Sequence, residues 1–279
     1  MKKEKIQAFL ALFIATFFWA SAYIFVKQLL DNVSPYVMLF VRFGLASLIL
    51  IVIYNKRLLQ INLEMLKAGI IMGVFLFGEF FTFTVGLQYT TTSRSSLIIA
   101  SYIIILPFAY LLIMRKRPSL SDIIVSIICM IGVFFIVGND LGSFHLGDVY
   151  CILCALSYAL YIVISSKYSK RYDSGILNVL QVSTTAILSI VILLFVKDHR
   201  FYVTFRDGFQ LIYLIILCTT LPFFLILYGM KHVSATTSGI LLSFESVMAA
   251  FMGIMVLHEP FTLNLFIGGT IIILSFILS

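Results

Sequence analysis

Ten times along this 279-residue chain a run of about 20 residues passes with almost no charge and then meets a short polar cluster. The runs fall at 7–27, 35–54, 66–88, 93–114, 121–138, 148–166, 174–196, 209–230, 235–257 and 262–279. A helix of about 20 apolar residues crosses the ~30 Å hydrocarbon layer of a bilayer. Inside lipid every backbone N–H and C=O needs a partner within the protein, which leaves helices or closed barrels. Runs of this length, without strict alternation, predict an all-α membrane protein of ten transmembrane helices. The chain is 62% hydrophobic and 11% charged, against about 45–50% and ~25% in a soluble domain. No soluble core of this length hides that much apolar surface.

The net charge of +7 would suggest nucleic acid in a soluble protein. Here the basic residues sit in short clusters between apolar runs, where anionic lipid and the positive-inside rule explain them. Nucleic acid is therefore not an expected partner; the lipid bilayer is. With the N-terminus cytoplasmic, the inner segments hold Lys2, Lys3, Lys5, Lys56, Arg57, Lys67, Arg115, Lys116, Arg117, Lys167, Lys170, Arg171 and Lys231. The outer segments hold Lys27, Arg94, Lys197, Arg200 and Arg206. This asymmetry predicts both termini inside a cell membrane. Ala20-Ser21-Ala22 after Lys2, Lys3 and Lys5 mimics a signal-peptide cleavage site, but the run is long and flanked by Trp19 and Tyr23, so a retained first helix is expected. Cys151-x-x-Cys154 has a metal or redox spacing without a second pair. Small buried helix residues are the expectation, and no metal or other cofactor is.

The second half of the chain echoes the first at an offset of 143 residues. Gly86-Leu87 meets Gly229-Met230, Ser95 meets Ser238, Tyr102 meets Glu245, and Lys116-Arg117 meets Glu259-Pro260. This predicts two repeats, 1–140 and 146–279, of five helices each. An odd number forces the copies to insert in opposite directions, the recurrent plan of secondary transporters with a midplane site. Gly69-x-x-x-Gly73 and Ala249-x-x-x-Gly253 are small-residue pairs suited to close helix packing.

Of the 12 acidic residues, Glu79 and Glu245 alone fall deep in spans. A carboxyl at that depth faces protein or a wet cavity rather than lipid. Either acid is a candidate to bind a proton or a cationic solute group; the alternative is a neutral acid bonded to a neighbouring helix. Arg42 lies about 10 Å inside the second helix at ~1.5 Å per residue. It is a candidate partner for a solute carboxylate or for one of the glutamates, or a snorkelling anchor. Lys27 reads as interfacial. Trp19, Tyr23, Phe75, Phe83, Tyr102, Tyr158 and Tyr161 are candidate cavity walls. Pro107 and Pro222 interrupt the fourth and eighth runs. No P-loop motif occurs, and the four histidines lie in loops or at span ends. That leaves neither ATP hydrolysis nor a Ser–His pair, and no catalytic residue is expected.

Several motifs together resemble the drug/metabolite transporter superfamily, in particular its EamA-type ten-helix carriers. They are Trp19-Ala20-Ser21-Ala22-Tyr23 with Lys27; Pro35 with Arg42-Phe43 and Ala46; Gly86-Leu87-Gln88-Tyr89-Thr90 leading to Ser95-Ser96-Leu97; Ser243-Phe244-Glu245-Ser246-Val247 with Ala249; and His258-Glu259-Pro260. Their order covers essentially the whole chain. The resemblance implies two inverted repeats, an inner-membrane location, alternating access and no ATP. It also implies export or exchange of an amino acid or related amphipathic metabolite, with the proton as a candidate coupling ion. The rival reading is a non-transporting membrane sensor or assembly partner. Two departures stand out. Met114-Arg115-Lys116-Arg117-Pro118 lies where these carriers usually carry an acid, and Ser246 replaces the usual proline after Glu245.

Overall fold

The computed structural model describes residues 2–115, 117, 119–138 and 145–277. Lys116, Pro118, the 139–144 segment between the expected repeats, and the Cys129 side chain lie outside the described residues. Among the described residues the chain is helical, and its one strand-like contact is an isolated bridge between Val33 and Phe201. The helices are α1 Lys2–Leu29, α2 Pro35–Leu58, α3 Leu63–Gly86, α4 Thr92–Ile99, α5 Tyr102–Met114, α6 Leu120–Gly138, α7 Leu146–Ser169, α8 Ser174–Phe195, α9 Phe205–Ile215, α10 Leu221–His232, α11 Ala235–Leu257 and α12 Leu263–Ile277.

Eight spans are long and apolar enough to cross a bilayer, counting α4 with α5 as one and α9 with α10 as another. The fifth and tenth runs carry shorter apolar helices. Local chemistry sets most helix starts. Asn62, Thr91, Asp173, Thr204 and Ser234 each accept an N–H from the first turn they precede, as good N-caps do. Pro35 opens α2, where its missing N–H costs nothing.

The fourth and eighth runs are broken rather than continuous. In the fourth, Ala100 and Ser101 turn the chain between α4 and α5, with Ile103 and Ile104 bonding three residues back. In the eighth, the π-turn Ile216–Thr220 joins α9 to α10. Pro222 accounts for the widening. Lacking an N–H, it cannot bond the carbonyl four residues earlier, that of Cys218. Thr219 and Thr220 hydroxyls instead bond Leu214 and Ile215, five residues back, each at 2.8 Å. Pro107 frees the Ile103 carbonyl in the same way, and Ser126 Oγ donates to it from α6.

Helix packing is unchanged when the halves are exchanged. Match α1 with α7, α2 with α8, α3 with α9–α10, α4–α5 with α11, and α6 with α12. Then α3 on α7 becomes α1 on α10, and α1 on α11 becomes α5 and α4 on α7. The pairs α2–α8, α6–α12 and α4–α11 map onto themselves. Among the described residues, the non-glycine positions with positive φ are Arg115 (53°) and His258 (54°), 143 residues apart. Direction follows from contacts at one end. Lys27, at the close of α1, donates to Thr90, just before α4, and Arg94 of α4 pairs with Asp148 at the start of α7. So α1 ends where its counterpart α7 begins, and the repeats are inverted. That end is the far face; the end carrying Lys5 is the near face.

The Gly69–Gly73 pair works within the chain, at the α3–α8 contact. A Cβ on Gly73 would stand 2.4 Å from Thr184 Cβ and 2.8 Å from the Gln181 carbonyl. Thr185 Oγ1 also reaches the Gly73 carbonyl at 3.1 Å. Overpacking of this kind costs about 1–3 kcal/mol. Gly73→Leu therefore lowers the thermal unfolding midpoint of the purified protein, and an unchanged midpoint would show that α3 and α8 stand further apart.

Candidate functional site

The two halves meet at a narrow cleft in the middle of the bundle. Trp19 and Tyr23 reach it from α1, Glu79, Phe80 and Phe83 from α3, Ile99 from α4, Cys154 and Tyr158 from α7, and Glu245 from α11. Helical spacing explains the convergence: Trp19 and Tyr23, Glu79 and Phe83, and Cys154 and Tyr158 are i,i+4 pairs on one face each. The free space is about 20 Å³, room for a single water and too little for a metabolite. Glu79 is buried, whereas Glu245 keeps part of its surface. Glu79 Oε2 and Tyr158 Oη are buried with no hydrogen-bond partner among the described residues.

Aromatic edges build the walls. Trp19 meets Phe80, Tyr158 and Phe223 edge-on at 6.2, 6.0 and 5.2 Å between ring centres. Tyr23 meets Phe83 at 4.7 Å. Behind them lies the carbonyl that Pro222 leaves free. Cys218 O accepts from Trp19 Nε1 at 3.0 Å and from Arg42 Nη2 at 2.9 Å. Arg42 Nε also donates to Thr219 Oγ1 at 2.6 Å, and its guanidinium lies 4.7 Å from the centre of the Phe80 ring. Arg42 is thus buried and held by the π-turn.

Arg42 neither snorkels nor pairs directly with a glutamate, and it does not line the cleft. Its place one layer back corrects its expected role as a direct solute contact. Three of the expected walls are also displaced. Tyr102 donates its hydroxyl to Gly239 O and stacks on Tyr158 at 4.5 Å, outside the lining. Tyr161 donates to Gln181 Oε1 at 3.1 Å and meets Phe223. Phe75 packs against the core away from the cleft. Each lies about one helical turn from a lining residue, so the face was right and the depth was not. Phe80, Ile99 and Cys154 are lining residues that sequence reasoning passed over. Phe80 and Cys154 had a signal, as neighbours of Glu79 and Tyr158 on the same helix faces.

The far face is closed by charged contacts. Glu259 accepts from Thr92 N at 2.6 Å and Ser93 N at 2.8 Å, and also from Ser93 Oγ. A carboxylate is favoured at a helix start by the exposed N–H groups and the dipole. His258, in the left-handed conformation, turns the chain back, and Gly253 leaves room: a Cβ there would stand 2.7 Å from Glu259 Oε2. Arg94 holds Asp148 through two bonds of 2.8 and 2.9 Å. Lys27 Nζ donates to Leu87 O and Thr90 O at 2.7 Å each. In the loop above, Arg200 donates twice to Asp198 and holds its carboxyl below the usual carboxylate range. On the near face, the ion pair between halves among the described residues is Arg57–Asp173, exposed and 3.3 Å long.

This closure makes a prediction. Bonds to a charged acceptor contribute about 1.5–3 kcal/mol each. Glu259→Ala therefore raises the labelling rate of a cysteine placed at Ile99 by a membrane-impermeant maleimide from the far side, by about tenfold or more. An unchanged rate would mean that Glu259 does not hold this face shut.

The EamA-like transporter family matches residues 6–138 and again residues 145–279. A protein of Archaeoglobus fulgidus, named as an uncharacterized transporter, is 25% identical over 283 residues, covering 99% of this chain and 86% of its own. The uncharacterized transporter YoaV of Bacillus subtilis is 22% identical over 275 residues, covering 96% and 94%. A solved crystal structure superposes with a TM-score of 0.76 at 17% identity, over 97% of this chain and 95% of the other.

Proposed function

From the EamA-like transporter family, to which this chain belongs, we propose a secondary transporter that exports or exchanges a small amphipathic metabolite carrying a protonated amine, such as an amino acid. The chain is a multi-pass membrane protein of transporter kind. In the proposed cycle, the repeats 1–140 and 146–279 rock about the central cleft and open it to each face in turn, without chemical change to the solute. Both termini are assigned to the cytoplasmic side of the inner membrane, from the basic clusters on the near face.

The observation that carries this reading is the polar makeup of the cleft. Two carboxyl groups from opposite halves share it, one with a buried oxygen that no described residue satisfies. Buried polar atoms are nearly always bonded, so an orphan in a cleft calls for a water or a ligand. One guanidinium stands behind two carboxyl groups, which leaves room for a further positive charge. Aromatic faces complete the environment that a protonated amine prefers. The proton is a second candidate for the same place, and competition between the two would couple transport to a pH gradient.

A thermal-shift panel of amines, carboxylates and neutral metabolites tests the substrate class, since a ligand of the folded state raises apparent stability. Amines are expected to stabilise and simple carboxylates not. Uptake of the best ligand into vesicles, with and without a pH gradient, then tests coupling. A panel in which carboxylates alone stabilise would overturn the amine assignment; uptake indifferent to the gradient would remove the proton.

A further inference from the structure

The two halves diverge at one place where their symmetry asks for a match. On the far face the first turn of α4 is filled by a carboxylate, with Glu259 accepting from Thr92 N and Ser93 N. The 143-residue offset carries Thr92 and Ser93 to Ala235 and Thr236 of α11, and Glu259 to Lys116. The sequence thus places a lysine between two arginines where the sister site has its acid. Among the described residues no carboxylate reaches the start of α11; Ser234 Oγ accepts from Thr237 N at 3.0 Å.

In front of that helix start lies an open cleft of about 410 Å³ on the near face. Lys5, Lys170, Lys231, His232, Ser234 and Thr237 line it, drawn from α1, the α7–α8 turn, α10 and α11. Glu4, close enough to His232 to sense its charge, is exposed at the rim. The cleft therefore gathers three ammonium groups, two hydroxyl side chains and the positive end of a 23-residue helix. That donor set suits a compact anion with several acceptor oxygens.

We propose that this cleft binds a phosphate group, which takes at α11 the place that Glu259 holds at α4 and bridges the halves on the near face. The source is an anionic phospholipid headgroup or a free phosphate compound, two versions of one chemistry. The site is separate from the central cleft and does not depend on what is transported.

The test is the thermal stability of the full chain in detergent, with phosphatidylglycerol or phosphatidylcholine added as mixed micelles, or inorganic phosphate against chloride of equal ionic strength. Phosphatidylglycerol or phosphate is expected to raise the melting temperature saturably, and phosphatidylcholine and chloride not. Stabilisation by the lipid alone assigns the site to a headgroup; stabilisation by inorganic phosphate as well assigns it to the phosphate itself. Lys170→Gln and Lys231→Gln each weaken the half-saturating concentration by about fivefold, while Lys56→Gln, on the same face but outside the cleft, leaves it unchanged. Lys116→Glu supplies an internal carboxylate and removes the response, whichever lysine variants fold. Absence of any anion response in the native chain, an equal loss in Lys56→Gln, or a full response in Lys116→Glu would each overturn the site.

Discussion

Replacing Glu245 by Gln weakens binding of a protonated-amine solute by about 10–100-fold and leaves the fold intact. The amide keeps the shape of the carboxyl and removes its charge. Glu245 is the acid of the pair with accessible surface in the cleft, and Tyr23, Tyr158 and Trp19 surround it. A bond to a charged partner contributes about 1.5–3 kcal/mol, and each 1.4 kcal/mol is tenfold in affinity. Equilibrium binding of the best amine to native and variant protein, with unfolding midpoints measured alongside, checks both parts. Equal affinity in the two proteins would remove the cation from the mechanism, and a collapsed midpoint would make Glu245 structural instead.

Arg42→Met has the opposite profile, a large loss of stability before any effect on binding. The guanidinium donates to Cys218 O and Thr219 Oγ1 and covers the Phe80 ring. It is also the positive group behind two buried carboxyls. Removing one member of a buried charge set costs about 3–5 kcal/mol, roughly 6–20 °C in melting temperature for a chain of about this size. Arg42→Lys does not restore it, because a single ammonium cannot serve both acceptors in the planar geometry of the fork. A melting temperature within a degree or two of native in Arg42→Met would show that the π-turn holds itself.

How far the sequence alone reached follows from which features are local. Apolar runs report burial in lipid directly, so helix positions were legible from composition and length. The offset of 143 was legible too, and it lands on Arg115 and His258, which share a left-handed backbone although one is basic and the other an imidazole. The break in the eighth run had a readable cause, since Pro222 always frees the carbonyl of Cys218. What receives that carbonyl, Trp19 and Arg42, lies at sequence separations of 199 and 176 residues, and no local pattern reports such a pairing.

The site followed the same rule. Glu79, Glu245, Trp19, Tyr23, Phe83 and Tyr158 were nominated as charge or aromatics in the wrong solvent, and they do line one cleft. Phe75 and Tyr161 share helix faces with lining residues but lie a turn away, and periodicity fixes a face without fixing a depth. Glu259 was seen as part of a motif at a helix end. Its role in closing the far face needed the partner at Thr92, 167 residues away.

The cleft contains its own reporter. Trp19 is the sole tryptophan of the chain, bonded to Cys218 O and in edge contact with Tyr158, whose hydroxyl is unsatisfied. Titration of the purified protein with its transported solute, read by tryptophan emission, therefore tests directly whether solute binds between the inverted halves. The account predicts a saturable change whose midpoint matches half-maximal uptake and which is lost in Glu245→Gln. Saturable transport with an unaltered Trp19 spectrum would place the solute path elsewhere and contradict it.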